Sequence, residues 1–587
     1  MTNRKFIPML LLTAWPGIVC AASAPAPANS FIQHNLVADQ PGVADVTDPN
    51  LVNPWGISES ASSPFWISDN GKGLTTLYNG SGTIIPLVVT VAPPKSQTSA
   101  SAPSGQINNN TTVFVLANGK PASFIFVTED GTLSAWNGGA GTTIEVDNSA
   151  SGAVYEGLAL GANASGPLLY AANFNAGTVD VFNGTFASTK VTGGFADANI
   201  PAGFAPFNIA NLGGKLYVAY AKQDAQKHDD VAGPGNGFID IFDMDGNLTG
   251  RLISNGPLNS PWGMTIAPST FGPFGGALLV GNFGDGKINA FDPSAGTPLG
   301  TLEDNKGNAI AIDGLWAIIF GNGKTGGDQN TLYFTSGPNH GQDGLFGSLA
   351  PPAAISGILN AASSLSGPIA PGEVVALTGG TTGPSPLASA KIPSSGSLGA
   401  SLSGTGVTFN GTPAPIIYTS ASQTAVLVPY AIAGSSTATV VVTYGNQTTA
   451  SFQAQVAASA PGIFTLDTSG KGAAVAFNQD GSLNSASNAA SAGSVVALFG
   501  TGEGMTEPAG QDGLVENDVF RTSVAPVAAT IGGKAAQVTY AGSAPGQLSG
   551  VMHVEVVIPS GAGTGAVPVV LTIGSASSQT TATIYLQ

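Results

Sequence analysis

Cysteine occurs once in the 587 residues, at Cys20, inside an apolar N-terminal stretch. Disulfides, thiolate metal ligands and a cysteine nucleophile are therefore excluded from everything that follows it. Basic residues are scarce as well: 17 lysines and arginines stand against 34 acidic residues, a net charge of −17. No basic cluster follows Lys5, so there is no surface to neutralise a phosphate backbone, and nucleic-acid binding is excluded. The apolar run Phe6 to Val19 is shorter than the roughly 20 residues of a membrane-spanning helix, so no transmembrane segment is expected. The four histidines, His34, His228, His340 and His553, lie far apart. A Gly-x-Ser-x-Gly elbow and a His-Glu-x-x-His zinc motif are both missing.

What the N-terminus does have is the pattern of an export signal. Arg4 and Lys5 precede the apolar run, and Ala22-Ser23-Ala24 offers a small-x-small cleavage site. A signal peptide over 1–24 is expected, and with it a secreted or extracytoplasmic protein, either free or cell-surface associated.

Glycine (81) and proline (40) are abundant, and they punctuate short runs of Val, Ile, Leu and Phe. That is the composition of many short strands joined by turns. Between 31 and 350 a strand–turn–strand grammar recurs at spacings of roughly 35 to 70 residues, the signature of a ring of repeats. Well-formed copies are Asn53-Pro54-Trp55-Gly56 with Phe65 to Asn70, Glu156 to Leu160 with Leu168 to Asn173, and Pro261-Trp262-Gly263 with Ala277 to Asn282. Vaguer copies cover Phe124 to Trp136, Asn208 to Phe242, and Trp316 to Phe346. Each unit cannot bury its faces alone, whereas a closed ring can. A six-bladed β-propeller is expected, with seven blades as the alternative because the widest spacings can hide strands.

A second repeat follows. Leu359-Asn360-Ala361-Ala362-Ser363 and Gly372 to Gly379 are echoed by Leu483-Asn484-Ser485-Ala486-Ser487 and Gly493 to Gly500. These lengths, without helical periodicity, predict two immunoglobulin-like β-sandwich modules, over 352–457 and 458–587. The fold class is all-β throughout.

The motifs also carry a resemblance. Asn53-Pro54-Trp55-Gly56, Tyr220-Ala221-Lys222-Gln223-Asp224, Lys227-His228-Asp229-Asp230-Val231 and Asp343-Gly344-Leu345-Phe346-Gly347 resemble a family of uncharacterised secreted bacterial proteins with a propeller-like domain. Ala460-Pro461-Gly462-Ile463-Phe464, Gly500-Thr501-Gly502-Glu503-Gly504 and Tyr540-Ala541-Gly542 resemble a module found at the C-terminus of exported acidobacterial proteins. The resemblance implies export and modularity, and no chemistry.

In so sparsely charged a chain, the segment Lys222, Asp224, Lys227, His228, Asp229 and Asp230 stands out, in a loop between two strands of the fourth repeat. Imidazole suits zinc-like ions and carboxylates suit calcium, so this loop can hold a divalent cation. It can equally solvate itself and pair internally. A second candidate set ends the inner strands: Asp69, Asn70, Glu129, Asn173, Asn282 and Asp285. Glu156 occupies the place that other repeats give to Trp55, Phe207 and Trp262, so it either reaches the channel or pairs with a buried donor. His340 joins His228 in following a second strand. Trp55, Trp262 and Trp316 are expected to pack between blades, and His553 to lie on the solvent face of its strand. Asp243 to Asn247 fails as an EF-hand because Leu248 and Ser254 stand where Gly and Glu are needed; it reads as a hairpin turn.

These features predict an extracellular binding or interaction protein, its propeller recognising a glycan, a cell-surface component or a small molecule, its sandwiches acting as spacers or adhesion modules. The alternative is a metal-dependent hydrolase or lyase at the propeller mouth, using calcium or another divalent cation.

Overall fold

The computed structural model describes residues 29–587, apart from 446, 450 and 518. The signal-peptide expectation over 1–24 lies outside the described residues. The described chain forms two compact units that divide between Pro351 and Pro352.

Among the described residues the N-terminal unit consists of six sheets, antiparallel except where Val46–Thr47 pairs parallel to Ile32–Ala38 at the edge of one of them. Their first strands are Pro54–Ser58, Pro103–Asn108, Tyr155–Asn163, Phe204–Leu212, Pro261–Ile266 and Leu315–Phe320. Each is an edge strand, and in each the next two strands in the chain follow outward; in five sheets a third also follows. The sixth sheet takes its outer strand from the other end of the sequence: Ile32–Ala38 pairs with Leu345–Ala350, with His34 opposite Ser348. One sheet is thus built from both ends of the domain.

The first strands touch in cyclic order, and the sixth returns to the first. The arrangement is propeller-like. Side chains of one sheet bond the inner backbone of the next: Ser104 Oγ donates to Tyr155 O at 2.5 Å, Asn208 Nδ2 to Trp262 O at 2.7 Å, and Thr335 Oγ1 to Trp55 O at 2.5 Å. Glycine permits the close approach. A Cβ on Gly157 would stand 2.1 Å from Asn208 Oδ1 and 2.8 Å from Asn208 Cα, so no side chain fits there. Between sheets the packing is apolar, as where Trp66, Phe124 and Phe126 meet.

In the C-terminal unit, residues 352–457 form two facing sheets. Ile358, Val375, Leu377 and Val426 of one pack against Val407, Phe409, Val440 and Val442 of the other. Residues 458–587 form a long sheet path that folds around its own core of Val496, Leu498, Val554, Val569 and Leu571, beside a small two-stranded sheet of Val515–Glu516 and Gln547–Leu548. Lys534–Ser543 makes the connection: its start pairs with Val527–Ile531 and its end with Val551–Val557, across a bulge between Val538 and Tyr540. The two halves pack on each other through Val374 and Leu427 on one side and Phe499, Leu548 and Val551 on the other. No helix among the described residues is long and apolar enough to cross a membrane.

The expectation for His553 is corrected by this packing. Its side chain is 11% exposed, and the ring stacks on Phe499, centroids 5.3 Å apart and planes 7° from parallel. Alternation with Met552, Val554 and Val556 places it on the opposite face as expected, but that face is covered rather than wet.

Candidate functional site

Because neighbouring strands are antiparallel, the starts of the first strands and the ends of the second strands lie at the same end of the ring. Every first strand also begins with an irregularity in register, at Pro54/Ile57, Pro103/Gln106, Tyr155/Gly157, Pro206/Asn208, Pro261/Met264 and Leu315/Ile318. Such a bulge redirects a side chain out of the ladder. The residues released are Trp55, Ser104, Glu156, Phe207, Trp262 and Trp316.

Four of the six are aromatic and gather into one cluster. Trp316 stacks on Trp55 with centroids 3.5 Å apart, on Phe283 at 4.1 Å, and edge-on to Trp262 at 5.9 Å. These tryptophans pack at the centre of the ring, as a plug, and not only between adjacent sheets. The aromatic ring is broken at the second and third sheets, where the released residues are Ser104 and Glu156. A polar niche occupies the gap.

Glu156 is 1% exposed, and its Oε2 has no hydrogen-bond partner. Burial pushes its carboxyl well above the usual range, and the charges of Glu129, Asp230 and Asp229 push it further. Glu129, which directly follows the second strand of the second sheet, is raised to about 7, mainly by burial, against the opposing pull of the Asn70 amide and His228. Asn70 Nδ2 donates to Glu129 Oε2 at 2.5 Å and so fixes the carboxyl from the first sheet. Burial also raises Asp230, whose Oδ2 is unpartnered.

The outer wall is the loop between Lys215–Lys222 and Phe238–Phe242. Gln223 Nε2 donates to Phe174 O at 2.5 Å and Asn175 Nδ2 to Lys227 O at 3.3 Å, which leans the loop over the third sheet. Asp224 Oδ1 accepts from His228 N at 2.9 Å and shapes the turn from within. His228 Nδ1 then lies 3.0 Å from Asp229 Oδ1 and 4.0 Å from Glu129 Oε1. Burial disfavours the charged ring, but the Asp229 hydrogen bond and the Glu129 charge outweigh it and raise its pKa.

Among the described residues, Glu129, His228 and Asp229 offer three ligand atoms within 4.8 Å of one another. That span is about twice a calcium–oxygen bond of 2.3–2.6 Å, so one ion can bridge all three. Glu156 lies close enough to this group for the charges of Glu129 and Asp229 to raise it beyond the effect of burial.

The other expected residues serve elsewhere. Asp69 is fully buried, its carboxyl raised by burial and by Asp48 against the pull of Thr76. Asn173 shapes a turn, donating to Asp180 Oδ2 and accepting from Ala176 N. Asn282 donates to Pro257 O and Asp285 Oδ1. His340 stands in the exposed turn Pro338–Gly341, outside the Glu129–His228–Asp229 group. Ser104 was missed by sequence reasoning, since Pro103-Ser104-Gly105-Gln106 lacks the aromatic that marks other first strands.

No family model matches the chain. Uncharacterized protein R648 of Acanthamoeba polyphaga mimivirus is 33% identical over 326 residues, which span 54% of this chain and 78% of that protein. The chain belongs to the family of R648. Uncharacterized protein L690 of the same virus is 32% identical over 326 residues, covering 84% of its length. Among solved structures, virginiamycin B lyase from Staphylococcus aureus covers 55% of this chain and 99% of its own, at 12% identity and a TM-score of 0.33. A streptogramin B lyase gives 12% and 0.32, over 54% of this chain and 96% of its own. At these values the likeness says nothing about activity. The family brings no chemistry of its own, so function must be argued from the niche.

Proposed function

We propose that this is an extracellular binding protein, a six-bladed β-propeller followed by two immunoglobulin-like sandwich modules, which holds a divalent cation in the niche at the propeller mouth. The cation presents an open face to an external glycan, cell-surface component or small molecule, and the sandwiches serve as spacer or adhesion modules. The basic start, apolar run and small-residue cleavage site of 1–24 support export.

One observation carries the cation reading: Glu156, buried, unpartnered, and surrounded by Glu129, Asp229 and Asp230. Clustered buried carboxylates are costly unless protonated or met by positive charge. A cation supplies that charge, and the exposed side chains of His228 and Asp229 give it a route in. Calorimetric titration of the purified full chain with calcium, manganese and zinc tests this. One site is expected in the wild type and none in Glu156→Gln. Absence of stoichiometric binding by any of the three removes the proposal.

A metal-dependent hydrolase or lyase has one observation in its favour. Glu156, outside the Glu129–His228–Asp229 group but close enough to feel the charges of Glu129 and Asp229, is a spare carboxyl able to exchange a proton with a bound substrate. Turnover of a lactone, ester or polysaccharide panel that requires added cation would establish it; no turnover leaves binding as the function.

A further inference from the structure

The ring axis has a second end. Residues from all six first strands line one cavity of about 720 Å³. It runs away from the bulged strand starts, since Glu59, Ala61, Asn110 and Thr111, which follow the far ends of their strands, form its rim. Trp262 of the aromatic plug lines its inner part, so the cavity is blind toward the niche. Its volume lies within the range of roughly 300 to 1,000 Å³ common for small-molecule sites.

We propose that this cavity binds an uncharged small molecule with an apolar body and hydrogen-bonding groups. Ile57, Leu160, Ile209, Met264 and Ile318 supply apolar wall. Polar side chains are set among them, those of Ser58, Gln106, Asn108, Asn208 and Thr265. Gln106 is held rigidly, its Nε2 donating to Gly56 O at 2.9 Å and to Trp66 O. Glu59 is the one ionisable residue lining the cavity. Burial raises it to about 9, so it is neutral at pH 7 and nothing in the wall favours a charged ligand.

This inference is independent of the cation reading. N-phenyl-1-naphthylamine, a neutral fluorescent probe, and its anionic relative 1-anilinonaphthalene-8-sulfonate are titrated into the full chain at pH 7, with and without EDTA. The neutral probe is expected to saturate one site, to bind at least tenfold more tightly than the anion, and to ignore EDTA. Leu160→Trp and Thr265→Trp, on separate strands of the wall, are each expected to weaken it at least tenfold while melting as the wild type does. If either variant misfolds, the other decides. No saturable binding of the neutral probe, equal binding of the anion, or unchanged binding in a folded tryptophan variant overturns the proposal. Loss of neutral-probe binding on adding EDTA would also overturn it, by assigning the probe to the cation site.

Discussion

His228 Nδ1 lies 4.0 Å from Glu129 Oε1, joining a loop of the fourth sheet to the end of the second sheet's second strand. The third sheet lies between them, and Glu156 is the residue it releases toward the axis. Three adjacent sheets therefore contribute to one acidic niche, and Asn70 of a fourth steadies it. The niche exists because Ser104 and Glu156 interrupt a ring of released aromatics.

Cation binding should strengthen as pH rises through about 7, because a metal must displace protons from Glu129 and Glu156. Calorimetry at pH 6 and pH 8 in buffers of different ionisation enthalpy measures both the affinity and the protons released. Affinity independent of pH would count against these two carboxyls as the site.

Without cation, stability should fall as pH rises from 5 to 8. Glu129 at about 7 and Glu373 and Glu503 at about 8 hold protons in the folded state that the unfolded chain releases. Each such group lowers stability by at most about 1.4 kcal/mol per pH unit while it remains protonated only when folded. The melting temperature should be higher at pH 5 than at pH 8, and saturating calcium should reduce the difference. A cation-free melting temperature that climbs between pH 5 and 8 would refute the assignment of these groups as protonated.

The ring was legible in sequence wherever a first strand carried an aromatic at its bulge, as at Trp55, Trp262 and Trp316. It was not legible at Pro103–Asn108, where only Gln106 and Ile107 hint at a strand. The outer strands were equally hidden: Ser188–Thr189 is two residues long and Leu248–Ser254 is largely exposed, so neither carries an apolar signature. Glu156 was flagged because it broke the aromatic pattern. Its closeness to Glu129 was not readable, since ring closure, and not local sequence, brings them together. His553 was misread for a related reason: alternation gives the two faces of a strand but not what covers the second.

Trp316→Ala should be the most damaging change in the plug. It removes the ring on which Trp55, Phe283 and Trp262 converge. A loss of about 3 to 5 kcal/mol is expected for a buried large aromatic, read by urea denaturation. A loss below 1 kcal/mol would mean that the plug is not a core element.

In the C-terminal unit, Arg521 Nε lies 2.9 Å from Glu516 Oε1, and the two side chains are 6% and 2% exposed. Arg521→Met leaves a buried carboxylate without its counter-charge, which costs about 3 to 5 kcal/mol. Adding Glu516→Gln should restore more than half of that loss. Equal instability of the single and double variants would show that packing of the arginine stem, and not charge, sets its contribution.

The most direct test of the cation niche is a manganese-soaked crystal of the full chain, examined by anomalous difference density. The predicted result is one strong peak within bonding distance of Glu129, His228 and Asp229, absent from Glu156→Gln crystals treated identically. A map with no peak in the niche, or with its strongest peak elsewhere, would contradict the account.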